Sequence, residues 1–525
     1  MSPQIDAHTL KSWLSDGAEI ALIDVREAGQ FGEAHPFFAI PLPYSRFELG
    51  LWELVPNPAV RMVLIDAGDG VAERAAKRAQ DMGYGNLHVL AGGAPAWGKA
   101  GYTLYAGVNV PSKTFGELVE HRRHTPRITA QQLQAMREAG ADMVIVDGRT
   151  PAEYRRMNIP DGISCPNGEL ALRIREIAPD PKTRIVVNCA GRTRSIIGAQ
   201  TLIDFGVPNE VVALENGTQG WFLAGLQLEH GATRRYPDQV RSREAAGLAA
   251  RARALAEKHG VPYVAAATAH GWISDTSRTT YFLDVRTAEE VAANGHPGFA
   301  HAPGGQLIQA TDQWVGVKGA RLVLVDDELV RAPVVAAWMR QLGHDACVLA
   351  GGIVAAGAYF WRRRGPPDLP ELRTVAPSEA APEIANGAVQ TIDLRPGMAF
   401  RKGHVAGAGW SIRPRIGAAA ANGRPIVLVA DEPGVAALAA VDLGEAGCKD
   451  IRLLAGEFEA WRAAGLPVET TPDNPPDADC IDFLFFTARR HDNDPEAARQ
   501  YLAWETGLLA QLDEQERGVF RISGA

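Results

Sequence analysis

Cys189 lies in the run NCAGRTRS, residues 188–195, after the apolar stretch RIVV and beside Gly191, Arg192 and Arg194. A cysteine acts as a nucleophile through its thiolate. With an ordinary pKa of about 8.5, only about 3% of a thiol is ionised at pH 7. Lowering that pKa to about 6.5 takes roughly 2.7 kcal/mol of preferential thiolate stabilisation. A helix dipole supplies about 0.3–1 kcal/mol and at most about 2, so the dipole alone falls short. A loop wrapped round a strand end, with Gly191 allowing close backbone approach, can aim several N–H groups at one sulfur atom. The helix expected from RSIIGAQTLIDFG adds positive potential beneath it. Arg192 and Arg194 add full charges at the rim. Cys189 is therefore the expected nucleophile. Arg192 and Arg194, with Ala190, Gly191, Thr193 and Ser195, form the expected substrate-binding loop, in which Ser195 either caps the helix or donates to the sulfur.

The elements that must hold this loop are written four times. ALIDVREAGQFGEAH (21–35) is echoed by VIVDGRTPAEYRRMNIPDG (144–162), YFLDVRTAEEVAANGHPGFAHAPGG (281–305) and QTIDLRPGMAFRKGHVAGAG (390–409). Each is an apolar strand ending in Asp with Arg two residues on: Asp24/Arg26, Asp147/Arg149, Asp284/Arg286 and Asp393/Arg395. The anchors are 123, 137 and 109 residues apart, which is domain-sized. A second apolar strand (RMVLID, RIVVNC, RLVLVD, PIVLVA), a loop and an alanine-rich helix follow each one. The repeat closes on LAGGAPAW, LENGTQGW, LAGGIVAAG or LAGEFEAW. Buried strands alternating with helices predict an α/β fold with a mostly parallel sheet in each module. Because Asp147 and Arg149 recur in every copy, they are expected to form a supporting turn or ion pair.

Composition narrows the function. A chain of 525 residues is too long for one core, and 46% hydrophobic with 22% charged residues is ordinary globular material. The net charge of -9 argues against general affinity for nucleic acid or anionic membranes. No apolar run reaches membrane-spanning length, and the N-terminus lacks a basic-then-apolar secretory pattern. The 5 cysteines (Cys165, Cys189, Cys347, Cys448, Cys480) are odd in number and unpatterned, which suits reduced thiols in the cytoplasm. No metal or dissociable cofactor is expected. Cys165, Cys347 and Cys448 read as bystanders.

The Asp-x-Arg turn, the cysteine loop between strand and helix, and the Gly-x-x-x-Trp close in GTQGWFLAG together resemble the rhodanese homology domain. The resemblance covers about 85% of the chain, strongest over roughly 125–232 and weakest in the third module, where the closing Trp is displaced. It implies four tandem rhodanese-like modules and a sulfurtransferase. In that family the loop cysteine takes a sulfane sulfur from thiosulfate or a persulfide, holds it as a persulfide, and passes it to cyanide or a thiol. The expected partners are therefore a small anionic sulfur donor and a thiol or cyanide acceptor. The six-residue loop Cys189–Arg194 resembles rhodaneses. Related cell-cycle phosphatases and arsenate reductases use one residue more, which makes a phosphatase-like hydrolase the weaker alternative. The arginines favour thiosulfate over a mercaptopyruvate-type donor.

Aligned strand ends place Asp66, Asp326 and either Ala430 or Asp431 where module two has Cys189. None can carry a persulfide, so modules one, three and four are expected to be silent, and a non-catalytic scaffold is the competing reading. The expected domains are 1–107 (inactive), 108–235 (catalytic), 236–262 (helical linker), 263–372 and 373–471 (both inactive), and 472–525. The last is a linker with an amphipathic helix (Tyr501, Leu502, Leu508, Leu509, Leu512) that packs on its own chain or forms a homodimer contact.

Overall fold

The computed structural model describes residues 2–238, 242–359, 361–365, 367–420 and 423–522. Module two is preceded by α1 (Val110–Arg123). It then runs β1 (Arg127–Ile128), α2 (Ala130–Glu138), β2 (Met143–Asp147), α3 (Pro151–Arg156) and β3 (Ile163–Ser164). It continues α4 (Leu170–Ile177), β4 (Arg184–Asn188), α5 (Thr193–Asp204), β5 (Val211–Leu214) and α6 (Gly217–Leu223). The strands pair in parallel in the order β1-β5-β4-β2-β3.

Strand residues alternate between two cores, as the pleat requires. Val146, Ile185 and Val187 pack with Leu170, Ile174, Ala199 and Leu202 on one face. Ile145, Val186 and Val212 pack with Leu133 and Trp221 on the other. A sheet covered on both faces explains why its strands read as continuous apolar runs. The chain runs from β2 outward to β3 and then back across to β4. The carboxyl ends of β2 and β4 therefore flank the point where strand order reverses, the usual ligand position in an open α/β sheet.

The five strands of each remaining module repeat this order. Module three has Tyr263–Val264, Asp345–Leu349, Arg321–Val325, Thr280–Asp284 and Ala300–His301. Module four has Arg373–Val375, Ile451–Leu454, Ile426–Val429, Gln390–Asp393 and Gly409–Trp410. Module one has Gln4–Ile5, Leu87–Leu90, Arg61–Ile65, Ile20–Asp24 and Ile40–Pro41.

The Asp-x-Arg turn is the same clamp four times. Arg149 Nε and Nη2 donate to the two oxygens of Asp147 at 2.9 and 2.7 Å, and Nη2 also donates to Met157 O at 2.6 Å. Arg26 and Arg395 grip Asp24 and Asp393 likewise and reach Ala34 O and Gly403 O at 2.7 and 2.8 Å. Arg286 grips Asp284 and takes Asn294 Oδ1 instead, at 2.7 Å. Each clamp ties a strand end to the residue eight positions after the arginine.

The modules are not grouped in chain order. Residues 21–108 and 365–486 chiefly form one compact unit, and residues 109–364 with the segment from Thr487 chiefly form another. In the first, Arg413 of module four is buried against Glu48 of module one at 2.5 Å. In the second, Arg331 of module three is buried against Glu169 of module two at 3.1 Å and Glu290 at 2.5 Å. Gly168 and Gly305 meet so closely that a Cβ on Gly168 would stand 2.7 Å from the Gly305 nitrogen. The expected helical linker carries a helix, Ser242–Lys258. Leu248, Ala252, Leu255 and Ala256 are buried, and it packs along Arg331–Gln341 of module three. The C-terminal helix, α7 (Pro495–Gly507), packs on its own chain, against α1.

Truncating Asp147 to Ala strands the buried Arg149 charge. The expected cost is about 3–5 kcal/mol, read as a lower urea midpoint. Glu210→Ala, which breaks an exposed pair with Arg184, is expected to cost under about 1 kcal/mol.

Candidate functional site

Cys189 directly follows β4 and is 2% exposed. Its carbonyl accepts from Thr218 N at 2.8 Å and that of Ala190 from Gln219 N at 3.1 Å, so the start of α6 fixes the loop backbone. This approach requires Gly217, whose φ is +53° and where a Cβ would lie 2.2 Å from Cys189 O. Asn167 Nδ2 holds the far end by donating to Arg194 O at 2.9 Å.

The sequence expects a ring of backbone donors around the sulfur. Among the described residues, the hydrogen bond given to Sγ comes instead from the Ser195 hydroxyl, at 3.1 Å. Ser195 lies in the first turn of α5, whose N-cap residue is Arg192, so its short side chain points back at the strand end rather than capping the helix. A hydrogen bond to an ionised group contributes about 1.5–3 kcal/mol, more than a typical helix dipole.

The two arginines are not free at the rim. Arg192 donates to Glu117 at 2.7 and 2.9 Å and also pairs with Glu120, both on α1. Arg194 donates to both oxygens of Glu153 at 2.8 and 2.7 Å, with Gln306 of module three 3.5 Å away. Burial opposes the Arg194 charge, but Glu153, and then Cys189 and Asp147, more than offset it and raise its pKa. Glu153, despite its own burial, is held down to about 2 by Arg194, then Thr150 and Arg149. This clamp therefore stays charged at neutral pH and loosens only as acid approaches that value.

Thr193 donates from Oγ1 to Glu505 Oε1 of α7 at 2.7 Å. Lys113 of α1 bonds the same oxygen at 3.1 Å and Tyr501 Oη at 2.7 Å. Burial, and then Arg490, Arg149 and Arg156, push the His491 imidazole down to about 3, so it is neutral at pH 7. Glu153 carried a readable signal, the capping box Thr150-x-x-Glu153. Glu505 carried none, standing 312 residues from Thr193.

Two of the other cysteines are poorly suited to chemistry. Cys165 is fully buried, and burial, then Glu169, raises its pKa well above the usual thiol range. Cys347 is pushed up to about 12 by burial.

The corresponding strand ends carry no thiol. Asp66 fills its own loop: its carboxylate accepts from Gly68 N, Gly70 N and Ala72 N at 2.8, 3.0 and 3.0 Å. Asp326 accepts from Val330 N and Arg331 N at 2.9 and 2.8 Å. In module four Ala430 follows the strand, and Pro433 opens the next helix without an N–H.

A Rhodanese-like domain model matches residues 6–100 and 129–224. The crystal structure of thiosulfate sulfurtransferase from Pseudomonas aeruginosa is 42% identical, has a TM-score of 0.90, and is matched over 99% of each chain. The thiosulfate sulfurtransferase GlpE of Pseudomonas syringae is 35% identical over 95 residues, 18% of this chain and 85% of that protein. An HTH-type transcriptional regulator, Rv0324 of Mycobacterium tuberculosis, is 36% identical over 105 residues, 20% of this chain. The match spans 45% of that regulator's length.

Ser195→Ala removes the hydroxyl facing Sγ. Alkylation of Cys189 by iodoacetamide at neutral pH is expected to slow roughly tenfold, the equivalent of about 1.4 kcal/mol of lost thiolate support. An unchanged rate would assign that support elsewhere.

Proposed function

Because the chain belongs to the rhodanese family of sulfurtransferases, we propose that it moves a sulfane sulfur through a persulfide on Cys189. The Cys189 thiolate attacks the outer sulfur of thiosulfate or of a persulfide donor. The donor's S–S bond breaks, and sulfite or the donor thiolate leaves with the electron pair. The new S–S bond on Cys189 holds the sulfur until cyanide or an acceptor thiolate attacks it. Thiocyanate or a new persulfide then departs, and the Cys189 thiolate is restored.

The observation that carries this reading is the Ser195 hydroxyl at 3.1 Å from a thiol at the sheet's switch point. Asp66, Asp326 and Ala430, at the matching strand ends, have no sulfur to offer. Ala190, Gly191, Thr193 and Ser195 form the wall of the site, with Arg192 and Arg194 shaping it as carboxylate-bound arms. Asp147 and Arg149 support it as the clamp beneath. Thiosulfate is the first donor to test, because two of the similar proteins are thiosulfate sulfurtransferases.

We place the reaction in the cytoplasm, since five free cysteines suit a reducing compartment. Among the described residues no helix is long and apolar enough to cross a membrane.

Incubation with thiosulfate is expected to add the mass of one sulfur atom to the intact protein. Cyanide should remove it with release of thiocyanate, and steady-state kinetics should follow a double-displacement pattern. Cys189→Ala should show neither adduct nor turnover. An adduct persisting in that variant would refute the assignment.

A further inference from the structure

The donors at the start of each post-loop helix need an acceptor. Modules one and three supply a carboxylate from the loop itself, Asp66 and Asp326. In module two that position is Cys189, and the carboxylate arrives from α7. Glu505 Oε1 accepts from the Thr193 hydroxyl at 2.7 Å and faces its N–H at 3.4 Å. Glu505 is wholly buried, yet its Oε2 has no hydrogen-bond partner. That oxygen lies against the loop: a Cβ on Gly191 would stand 2.9 Å from it and 3.0 Å from Tyr501 Cε1. Gln219, 2% exposed, lies against the same face with both amide atoms unpartnered.

The cations that touch the loop or Glu505 are each matched by a carboxylate. Arg192, Arg194 and Lys113 are cations, and Glu117, Glu120, Glu153 and Glu505 are their carboxylate partners. Burial opposes the Glu505 charge, but Lys113, then Thr193 and Arg192, hold its pKa below the usual carboxylate range.

We propose that Glu505 is a specificity-determining residue that screens Cys189 by charge. It takes the Thr193 hydroxyl and faces the Thr193 N–H, so an anionic reagent, thiosulfate included, approaches the thiol against its charge, whereas a neutral reagent meets no such repulsion. This rests on Cys189 being the reactive thiol of the proposed function. The test therefore reads alkylation rather than sulfur transfer, and the two readings can fail separately.

The full-length protein is treated with iodoacetate, an anion, and with iodoacetamide, its neutral counterpart, and the rate at Cys189 is followed by peptide mass mapping. Glu505→Gln keeps an acceptor for Thr193 and removes the charge. The iodoacetate-to-iodoacetamide rate ratio is expected to rise roughly tenfold, the scale of one unit charge acting across about 10 Å near a protein surface. Glu505→Ala, which removes the charge and the acceptor together, is expected to raise the ratio in the same direction. If one variant fails to fold, the other carries the test. A ratio that stays put, or both reagents speeding up equally, overturns the proposal: Glu505 would then only brace the loop.

Discussion

A helix that starts directly behind a strand end points its first N–H groups at the residue just before the loop, and those groups have no partner inside the helix. Much of what distinguishes the four modules follows from what meets them. Asp66 satisfies three loop and helix amides with one carboxylate, and Asp326 satisfies two. Such a loop holds its own anion and has little reason to accept another. Module four lowers the demand instead, by opening its helix at Pro433. In module two a thiol stands at that position and takes the Ser195 hydroxyl, while the first N–H of the helix, that of Thr193, faces Glu505. A loop carboxylate, a proline, and a thiol joined by a carboxylate from another helix are alternative solutions to one hydrogen-bonding requirement.

The arginines of the loop obey a second requirement. Guanidinium groups buried as deeply as Arg192 need carboxylates, because an unpaired charge out of water is costly. Once paired, they act on the sulfur mainly by fixing the loop. The short-range contribution passes to the Ser195 hydroxyl. The simple picture of a positively charged rim gives way to a balanced frame, in which stiffness comes from ion pairs and one O–H, that of Ser195, is aimed at the sulfur.

The repeat, the parallel sheet and the loop cysteine were legible because they are local. Strand, Asp-x-Arg clamp, loop and helix each lie within some ten residues, and their periodicity is unambiguous. The contrast between Cys189 and the aspartates at matching strand ends was legible for the same reason. Illegible were the partners that arrive from a distance: Glu117 and Glu120 from α1, Gln306 from module three, and Glu505 from α7. Nothing in their local sequence marks them, since a helix with one acidic face reads equally well as solvated. The grouping of modules one with four and two with three was hidden too, because it is fixed by side chains such as Arg413 and Arg331 that meet partners hundreds of residues, or a whole module, away.

Those buried arginines also bear on what the modules without a loop cysteine do for their neighbours. Arg331 sits at the start of a helix whose donors are already satisfied by Asp326, and its side chain crosses to Glu169 of module two. A module that needs no ligand to complete its own loop is well suited to serve as a wall for one that does. Gln306 beside Arg194, and the glycine contact at Gly168 and Gly305, place that wall against the cysteine loop and the segment before it. A cysteine in place of Asp326 would remove the acceptor that fixes this helix start, and with it the footing of Arg331. Within this unit, the helix start of one module and an ion pair into its neighbour are therefore coupled through a single carboxylate.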